Sequence, residues 1–233
     1  MVRRLEPKDL PHQFGGSPEE VGRNLDSLTK ANRYFGGVRS LARPLHGLLL
    51  RHRGRPVRLL DVGCGRAEAA RRHVEWARAQ GIDLRVTVVD RDADVIAQAR
   101  RGCAGYPEIR IVRGDALGLP FRAGTFDYVS ASMLLHYFGT EEAAGIVRGW
   151  AALAGRAVIV SDVRRHWFPC AAISVLSRLS GSPLFGQGSR RTVLRGFTPA
   201  ELRGLARAAA LVRSRLTRHF PFRLALVGFV TAD

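Results

Sequence analysis

The sequence contains little that would cross-link a fold covalently or place it in a membrane. Its 233 residues include three cysteines, Cys64, Cys103 and Cys170, which lack the paired spacing of a zinc ligand set. No apolar run reaches the roughly 18 residues that a membrane-spanning helix requires. The N-terminal residues lack the apolar stretch of a signal peptide. We therefore expect a cytoplasmic protein without a disulfide framework, a metal centre or a membrane span.

Lysine and acidic residues are also scarce, and the chain is strongly basic. Lys8 and Lys30 are the only lysines among 37 basic residues, against 20 acidic ones, for a formal net charge of +17. Codon bias in a GC-rich genome explains the excess of arginine over lysine, but not its distribution. Residues 61–163 carry 13 basic and 13 acidic residues, residues 1–60 carry 12 and 5, and residues 164–233 carry 12 and 2. These basic flanks favour an acidic, carrier-bound or lipophilic small molecule as partner, or peripheral contact with an anionic membrane.

The order of apolar runs predicts the fold. Five short apolar runs typical of buried strands alternate with helical segments. They cover residues 57–62, 84–89, 109–112, 126–131 and 157–160. This alternation predicts an α/β fold with a doubly wound, Rossmann-like, mostly parallel sheet. Two further runs, 211–217 and 222–230, predict a C-terminal antiparallel hairpin that completes seven strands.

The remaining segments suggest how the chain is divided. Residues 1–56 are expected to form a polar tail and a helical cap, with one helix starting at Ser17. Residues 57–233 are expected to form the ligand-binding domain. Within it, the irregular stretch 164–197 is expected to cover a substrate, and Thr198 to begin a further helix through a capping box.

A glycine-containing turn follows the first predicted strand, in the sequence LLDVGCGRA at 59–67. Glycines in a strand-to-helix turn let the backbone approach a ligand, and the free N–H groups at the helix start attract polar or negative groups. Asp90 ends the second predicted strand, where an acid can accept both hydroxyls of a ribose. Asp115 follows the third strand. Since parallel strands end at one edge of the sheet, we expect these groups to line one crevice.

Together these residues resemble the class I S-adenosylmethionine-dependent methyltransferases, over about residues 57–230. The resemblance is greatest to the small-molecule branch, which includes ubiquinone- and menaquinone-biosynthesis methyltransferases and the stand-alone enzymes that accompany bacterial type III polyketide synthases. It depends on the order and spacing of six motifs. They are LLDVGCG at 59–65, VVD at 88–90, GDALGLPF at 114–121, TFDYV at 125–129, LLH at 134–136 and FTPAEL at 197–202. The family usually has a third glycine where this chain has Ala67.

The resemblance implies S-adenosyl-L-methionine as the cofactor, S-adenosyl-L-homocysteine as its product, and no metal. It implies that Gly63 and Gly65 face the methionine part of the cofactor, that Asp61 holds its amino group, and that Asp90 binds the ribose. The other implied contacts are Arg91 beside the adenine, Asp115 and Ala116 at the adenine edge, and the stretch from Ser130 to Met133 beneath the sulfonium.

Candidate catalytic and substrate residues follow the fourth and fifth strands. His136 lies beside the expected crevice, where a neutral imidazole can take a proton from a phenol or an enol; its alternative roles are packing and helix capping. Asp162 and His166 are weaker catalytic candidates. The substrate candidates are Tyr137, Arg164, Arg165, Trp167 and Phe168. The two arginines are expected to hold an anionic group or to be solvated, and the two aromatic rings to form an apolar pocket wall or part of the core.

The expected activity is methyl transfer to a small molecule, by O-methylation of a hydroxylated aromatic or polyketide-type compound or, alternatively, by C-methylation of a quinone, phenol or polyketide precursor. A nicotinamide dehydrogenase would need GxGxxG spacing, which GCGRAE at 63–68 lacks. An RNA methyltransferase acting on exocyclic amines would need an Asn/Asp-Pro-Pro-aromatic motif where this chain has SASM at 130–133. A nucleic-acid partner is therefore not expected. A non-catalytic cofactor-binding protein is the third alternative, and we expect a monomer or a homodimer.

Overall fold

The computed structural model describes residues 3–5, 36–52, 54–168 and 190–232, and the structural statements below concern these ranges. The predicted helix start at Ser17 and the thiol of Cys170 lie outside them. The strands are β1 (Val57–Val62), β2 (Leu84–Asp90), β3 (Ile109–Arg113), β4 (Phe126–Ser132), β5 (Ala154–Val163), β6 (Arg213–His219) and β7 (Arg223–Phe229). The α-helices are α1 (Gly37–Leu49), α2 (Glu68–Ala79), α3 (Ala93–Gly102), α4 (Thr140–Leu153) and α5 (Pro199–Ala208), with 3-10 turns at Leu50–His52 and Leu135–Tyr137.

The seven strands form one sheet in the order β3-β2-β1-β4-β5-β7-β6. Strands β1 to β5 are parallel to their neighbours, whereas β7 is antiparallel to both β5 and β6. This confirms the predicted α/β fold with a mostly parallel sheet and a C-terminal hairpin. The strand order reverses between β1 and β4, and ligands of doubly wound sheets bind at such a switch point, beyond the carboxyl ends of the strands.

Apolar layers cover both faces of the sheet, because side chains alternate between faces along each strand. On one face, Leu59, Val86 and Ile159 pack with buried residues of α1, α2 and α3. On the other face, Leu60 and Val158 pack with buried residues of α4 and α5. Burial on both faces explains why the central strands read as nearly continuous apolar runs.

Helix α1 belongs to one of these layers. Leu41, Leu45 and Leu49 are fully buried, and Ser40 Oγ lies 2.5 Å from Ser161 Oγ of β5. Residues 37–49 therefore pack directly on the sheet. The proposed division at residue 56 stays a prediction. None of the described helices is long and apolar enough to cross a bilayer.

Two element boundaries differ from the sequence prediction for identifiable reasons. Strand β5 continues beyond the predicted end at Val160, because the polar residues Ser161 and Asp162 are buried with hydrogen-bond partners in place. The Ala-rich stretch 66–79 predicts a helix from residue 66, but helix α2 begins at Glu68, since Ala67 has a φ of 56° and so lies outside helical geometry. Both differences place polar or strained residues at the edge of the sheet where the candidate site lies.

Candidate functional site

The turn after β1 leaves space for a ligand. Gly63 and Gly65 have φ angles of 70° and 54°, which glycine adopts without steric cost. The N–H groups of Gly63 and Cys64 both donate to the carbonyl of Val89, at 2.8 and 3.1 Å, and tie the turn to the end of β2. A Cβ added to Gly65 would meet no atom within 4 Å, whereas one added to Gly63 would lie 2.9 Å from Leu134 Cδ2. The open side of the turn is therefore at Gly65.

Ala67 occupies the position where the resembled family usually has a third glycine. Its φ of 56° is left-handed, a conformation that costs an alanine about 1–2 kcal/mol. Its side chain is fully buried in the layer that contains α2. The backbone thus keeps a glycine-like conformation, and the extra methyl group points into the core.

Two carboxylates lie beside this turn, at the ends of the neighbouring strands β1 and β2. Asp61 is 4% exposed and accepts a 2.8 Å hydrogen bond from Ser130 Oγ. Burial raises the pKa of Asp61 to about 6, with Asp90 adding to the effect. Asp90 accepts backbone N–H groups from Gly65 at 3.1 Å and Asp92 at 3.2 Å, and burial raises its pKa as well. This edge of the crevice is acidic and suits hydroxyl groups and a cation.

The third predicted acid lies at the same edge but is exposed. Gly114 N–H donates to the carbonyl of Asp90 at 3.0 Å, so the chain after β3 runs next to the end of β2. Asp115 follows directly and accepts a 3.0 Å hydrogen bond from Leu117 N–H, which closes a local turn. The ends of β1, β2 and β3 thus meet, as the parallel topology requires.

The two remaining residues expected near an adenine have backbone contacts that hold this edge in place. The carbonyl of Ala116 accepts a 3.2 Å hydrogen bond from Trp150 Nε1 of α4. Arg91 is exposed, and its carbonyl accepts a 3.0 Å hydrogen bond from Arg113 Nε. The adenine contacts expected of Arg91 and Ala116 stay predictions.

A buried histidine–aspartate pair lies beyond the ends of β4 and β5. His136 Nδ1 lies 2.8 Å from Asp162 Oδ1, and the His136 backbone N–H donates to Asp162 Oδ2 at 3.1 Å. Both side chains are fully buried. Burial opposes ionisation of Asp162, but His136, the Val163 N–H and Arg223 outweigh it and hold its pKa below its usual value. A neutral imidazole whose Nδ1 donates to a carboxylate presents its lone pair at Nε2; among the described residues Nε2 of His136 has no hydrogen-bond partner.

Two further side chains surround this pair. Arg223 of β7 is 3% exposed, and its guanidinium contacts Met133 Sδ. Burial lowers the pKa of Arg223 to about 10, although Asp162 acts in the opposite direction. The ring of Tyr137 lies 4.1 Å from that of His136 between centroids, and burial raises the pKa of its phenol, which stays neutral near pH 7.

Arg165 was expected to bind substrate or to be solvated; the solvated alternative is wrong, and the substrate role stays a prediction. Its side chain is buried, pairs with Glu201 at the start of α5 and donates to the carbonyl of Gly196 at 2.6 Å. A buried guanidinium needs such partners. Arg164, by contrast, is half-buried, and its Nε has no partner among the described residues.

The aromatic residues after β5 lie at the surface in the described structure. Trp167 and Phe168 are 62% and 51% exposed. The Phe168 ring lies 5.8 Å from that of Phe222, and His166 Nδ1 accepts the Phe168 N–H at 3.3 Å. A core position is therefore wrong for both rings, and their role as a pocket wall stays a prediction. His166 contacts its sequence neighbours rather than the His136–Asp162 pair.

Arg4 is a residue at this site that the sequence did not reveal. Its guanidinium donates to the carbonyl of Phe138 at 2.9 Å, to Thr140 Oγ1 at 2.7 Å and to the carbonyl of Arg195 at 3.0 Å. It also lies 4.2 Å from the centroid of the Phe197 ring. We call this set of contacts the Arg4 clamp. A single arginine in a polar tail has no pattern that would have indicated it.

No group of three or more potential metal-ligating side chains occurs within the described ranges. The side chains gathered at the sheet edge are thus two acids beside an open glycine turn, followed by a buried histidine–aspartate pair. This arrangement can hold a polar ligand at the turn and accept a proton at His136 Nε2.

Comparisons with known proteins agree with this geometry. Residues 59–154 match the family described as a methyltransferase domain. The demethylmenaquinone methyltransferase of Lysinibacillus sphaericus is 34% identical over 71 residues, which are 30% of this chain and 29% of that protein. The chain therefore matches less than a third of the length of that curated relative.

The fold resembles solved structures over most of the chain. The CMeT domain of the citrinin polyketide synthase has a TM-score of 0.70 at 15% identity, with 94% of this chain and 59% of that chain covered. Human N-acetylserotonin methyltransferase in complex with SAM has a TM-score of 0.66 at 14% identity, with 91% and 56% covered. At these identities the likeness concerns the fold.

Proposed function

We propose a function from the premise that this chain has the domain and the fold of the class I S-adenosylmethionine-dependent methyltransferases. The chain would bind S-adenosylmethionine and transfer its methyl group to a small molecule, at a hydroxyl of an aromatic or polyketide-type compound. The observation that carries this choice is the buried His136–Asp162 pair, whose free Nε2 can accept the proton of such a hydroxyl.

The residues beside the glycine turn fit the cofactor. Open space at Gly65 lets a ligand approach the backbone. Asp61 suits the amino group of the methionine part, since a cation beside it would offset the burial that raises its pKa. Asp90 keeps free lone pairs on both oxygens for ribose hydroxyls, although each already accepts one N–H. Ser130 supports the site indirectly by orienting Asp61.

When bound, the cofactor supplies a methyl group on a sulfonium, which departs as a neutral thioether and needs no acid. The protein's task is then to orient the acceptor and to remove its proton. His136 accepts that proton at Nε2, and Asp162 stabilises the resulting imidazolium through Nδ1. Tyr137 stays neutral beside it, and its ring lies against that of His136.

C-methylation is the second candidate, because the same base can take a proton from an enol or a phenol that reacts at carbon. The named curated relative acts on demethylmenaquinone, and the first structural neighbour is a domain of a polyketide synthase. Product analysis separates the two reactions, since an O-methyl ether and a C-methyl group have distinct carbon-13 NMR shifts.

Cofactor binding is tested first. S-adenosylhomocysteine should raise the melting temperature of the protein and bind in calorimetry, whereas NAD should do neither. Asp90→Ala should lose most of this affinity and keep its circular dichroism spectrum. Equal affinity of the wild type and Asp90→Ala would refute the assigned site.

Catalysis is tested with a panel of phenols and a deuterium-labelled methyl donor. His136→Gln should bind S-adenosylhomocysteine normally and lose about 100-fold or more in kcat, the usual contribution of a general base. The matched control is His166→Gln, which alters a histidine outside the pair. Full activity of His136→Gln would remove the base from the mechanism.

A further inference from the structure

The charges around the His136–Asp162 pair do not balance. Two described carboxylates lie in this region, and each is already engaged. Asp162 faces His136 and Arg223. Glu201 pairs with Arg165. Neither is left to neutralise a further cation, so any additional arginine here needs an anion from elsewhere.

Besides Arg4, which donates to two carbonyls and a hydroxyl, two additional arginines are present. Arg164 and Arg195 each have a buried Nε without a hydrogen-bond partner among the described residues. Their side chains are half-buried, so that water screens them only in part. An unpaired polar group in such a place is costly, and more so if it is charged. Each such group in a native structure calls for an explanation, and a bound ligand is one.

The backbone places both arginines next to the pair. Arg164 follows Asp162 by two residues and therefore extends from the same face of the chain. A β-bridge joins Arg164 to Phe197, two residues after Arg195. Arg195 is also close enough to Tyr137 for its charge to lower the pKa of that phenol, against the larger effect of burial. Both arginines thus lie in the same part of the fold as the His136–Asp162 pair.

We propose that Arg164 and Arg195 bind a carboxylate of the methyl acceptor, which is then an aromatic hydroxy acid. The planar guanidinium fork matches a carboxylate through paired hydrogen bonds. With the carboxylate at the arginines, the hydroxyl of the same small ring faces His136. This inference rests on the proposed function. A terminal anion fits better than a nucleic-acid backbone, because both Nε atoms are buried and a small group reaches them more easily than a polymer does.

The test compares acids with matched neutral analogues. The probes are the 2-, 3- and 4-hydroxybenzoates and the corresponding hydroxybenzamides, which differ in charge and hardly in shape. Turnover is measured by mass spectrometry, and binding to protein saturated with S-adenosylhomocysteine is measured by saturation-transfer NMR. The variants are Arg164→Gln and Arg195→Gln, with Arg195→Lys as the conservative change. The matched control is Arg191→Gln, an exposed arginine in the same helical turn.

The wild type and Arg191→Gln should prefer at least one acid over its amide by about ten- to hundredfold in kcat/KM or in affinity, as expected for a charge-assisted hydrogen bond. Arg164→Gln and Arg195→Gln should lose that preference through a raised KM for the acid, and Arg195→Lys should regain part of it. The product should be a methyl ether with an intact carboxylate.

Three results would overturn the inference: equal affinity of acid and amide for the wild type, a preference that survives both glutamine variants, or a methyl ester as the product. The binding arm gives an answer even without turnover. Failure to bind S-adenosylhomocysteine refutes the proposed function itself, whereas methylation of phenols without an acid preference refutes only this inference.

Discussion

At Asp61, the charge proposed to bind the cofactor is also a charge that destabilises the cofactor-free fold. Its carboxylate is fully buried beside Asp90, and the desolvation raises its pKa from a usual 3.8 to about 6. A shift of about two units corresponds to roughly 3 kcal/mol, at 1.36 kcal/mol per unit, that the folded protein loses when Asp61 ionises. Asn has the same shape, carries no charge and can still accept the hydrogen bond from Ser130 Oγ.

We therefore expect Asp61→Asn to stabilise the cofactor-free protein by up to about 3 kcal/mol at pH 7.5, while it abolishes binding of S-adenosylhomocysteine. The raised pKa of Asp61 also determines how the stability difference between the two proteins changes with pH. Above about pH 6 the folded wild type bears the full cost of the charge. Between pH 6 and 4 protonation of the folded state removes that cost, so the two proteins should become equally stable near pH 4.

Urea denaturation of both proteins between pH 4 and pH 8, without cofactor, measures this difference. Calorimetry with S-adenosylhomocysteine measures the loss of binding. Asp83→Asn is the control, because Asp83 belongs to an exposed ion pair with Arg85, worth less than about 1 kcal/mol. The reasoning is wrong if Asp61→Asn is no more stable than the wild type at pH 7.5, or if the difference between them does not change with pH.

Three other substitutions test separate parts of the site. Gly65→Ala should lower the free energy of unfolding, measured by urea denaturation, by about 1–2 kcal/mol, because residue 65 has a left-handed φ. It should also weaken S-adenosylhomocysteine binding more than tenfold, since the new methyl group enters the open side of the turn. Normal affinity would contradict this. Asp162→Asn should destabilise by about 1.5–3 kcal/mol, because it removes the carboxylate that lies 2.8 Å from His136 Nδ1. Asp162→Glu should recover some activity, and equal stability of Asp162→Asn and the wild type would refute this reasoning. Arg4→Ala should destabilise the protein by at least about 2 kcal/mol, because three hydrogen bonds are lost. The stability of Arg4→Lys should be intermediate. An unchanged urea midpoint for Arg4→Ala would show that the Arg4 clamp does not stabilise the fold.

The predictable parts of this protein are those with a local pattern. The strands β1 to β4 were predicted to within a residue or two, since burial on both faces makes them apolar throughout. The glycine turn and the acids Asp61 and Asp90 were predictable, because parallel strands place their carboxyl ends together. Their ligands stay predictions.

Other features depend on contacts that no local pattern records. Arg165 reads as a surface or ligand-binding arginine until Glu201, 36 residues later, is seen to pair with it. Trp167, a large aromatic residue, was expected in a pocket wall or in the core, but it is exposed. The predicted end of β5, Val160, lies three residues before the observed end at Val163. The polar residues Ser161 and Asp162 can be buried there because Ser40 and His136 supply hydrogen-bond partners from distant segments of the chain.

The Arg4 clamp has a consequence for the order in which the chain assembles during synthesis. Arg4 donates to the carbonyl of Arg195, 191 residues further on, and β7 enters the sheet between β5 and β6. Because the ribosome releases the N-terminus first, residues 57–132, with the glycine turn and its acids, can fold before either contact is available. The contacts of Arg195 with Arg4, and of β7 with β5, therefore form only when nearly the whole chain has emerged. A ribosome-bound chain that ends before residue 190 is therefore expected to carry the glycine turn while Arg4 still lacks its contacts with Arg195 and Phe197.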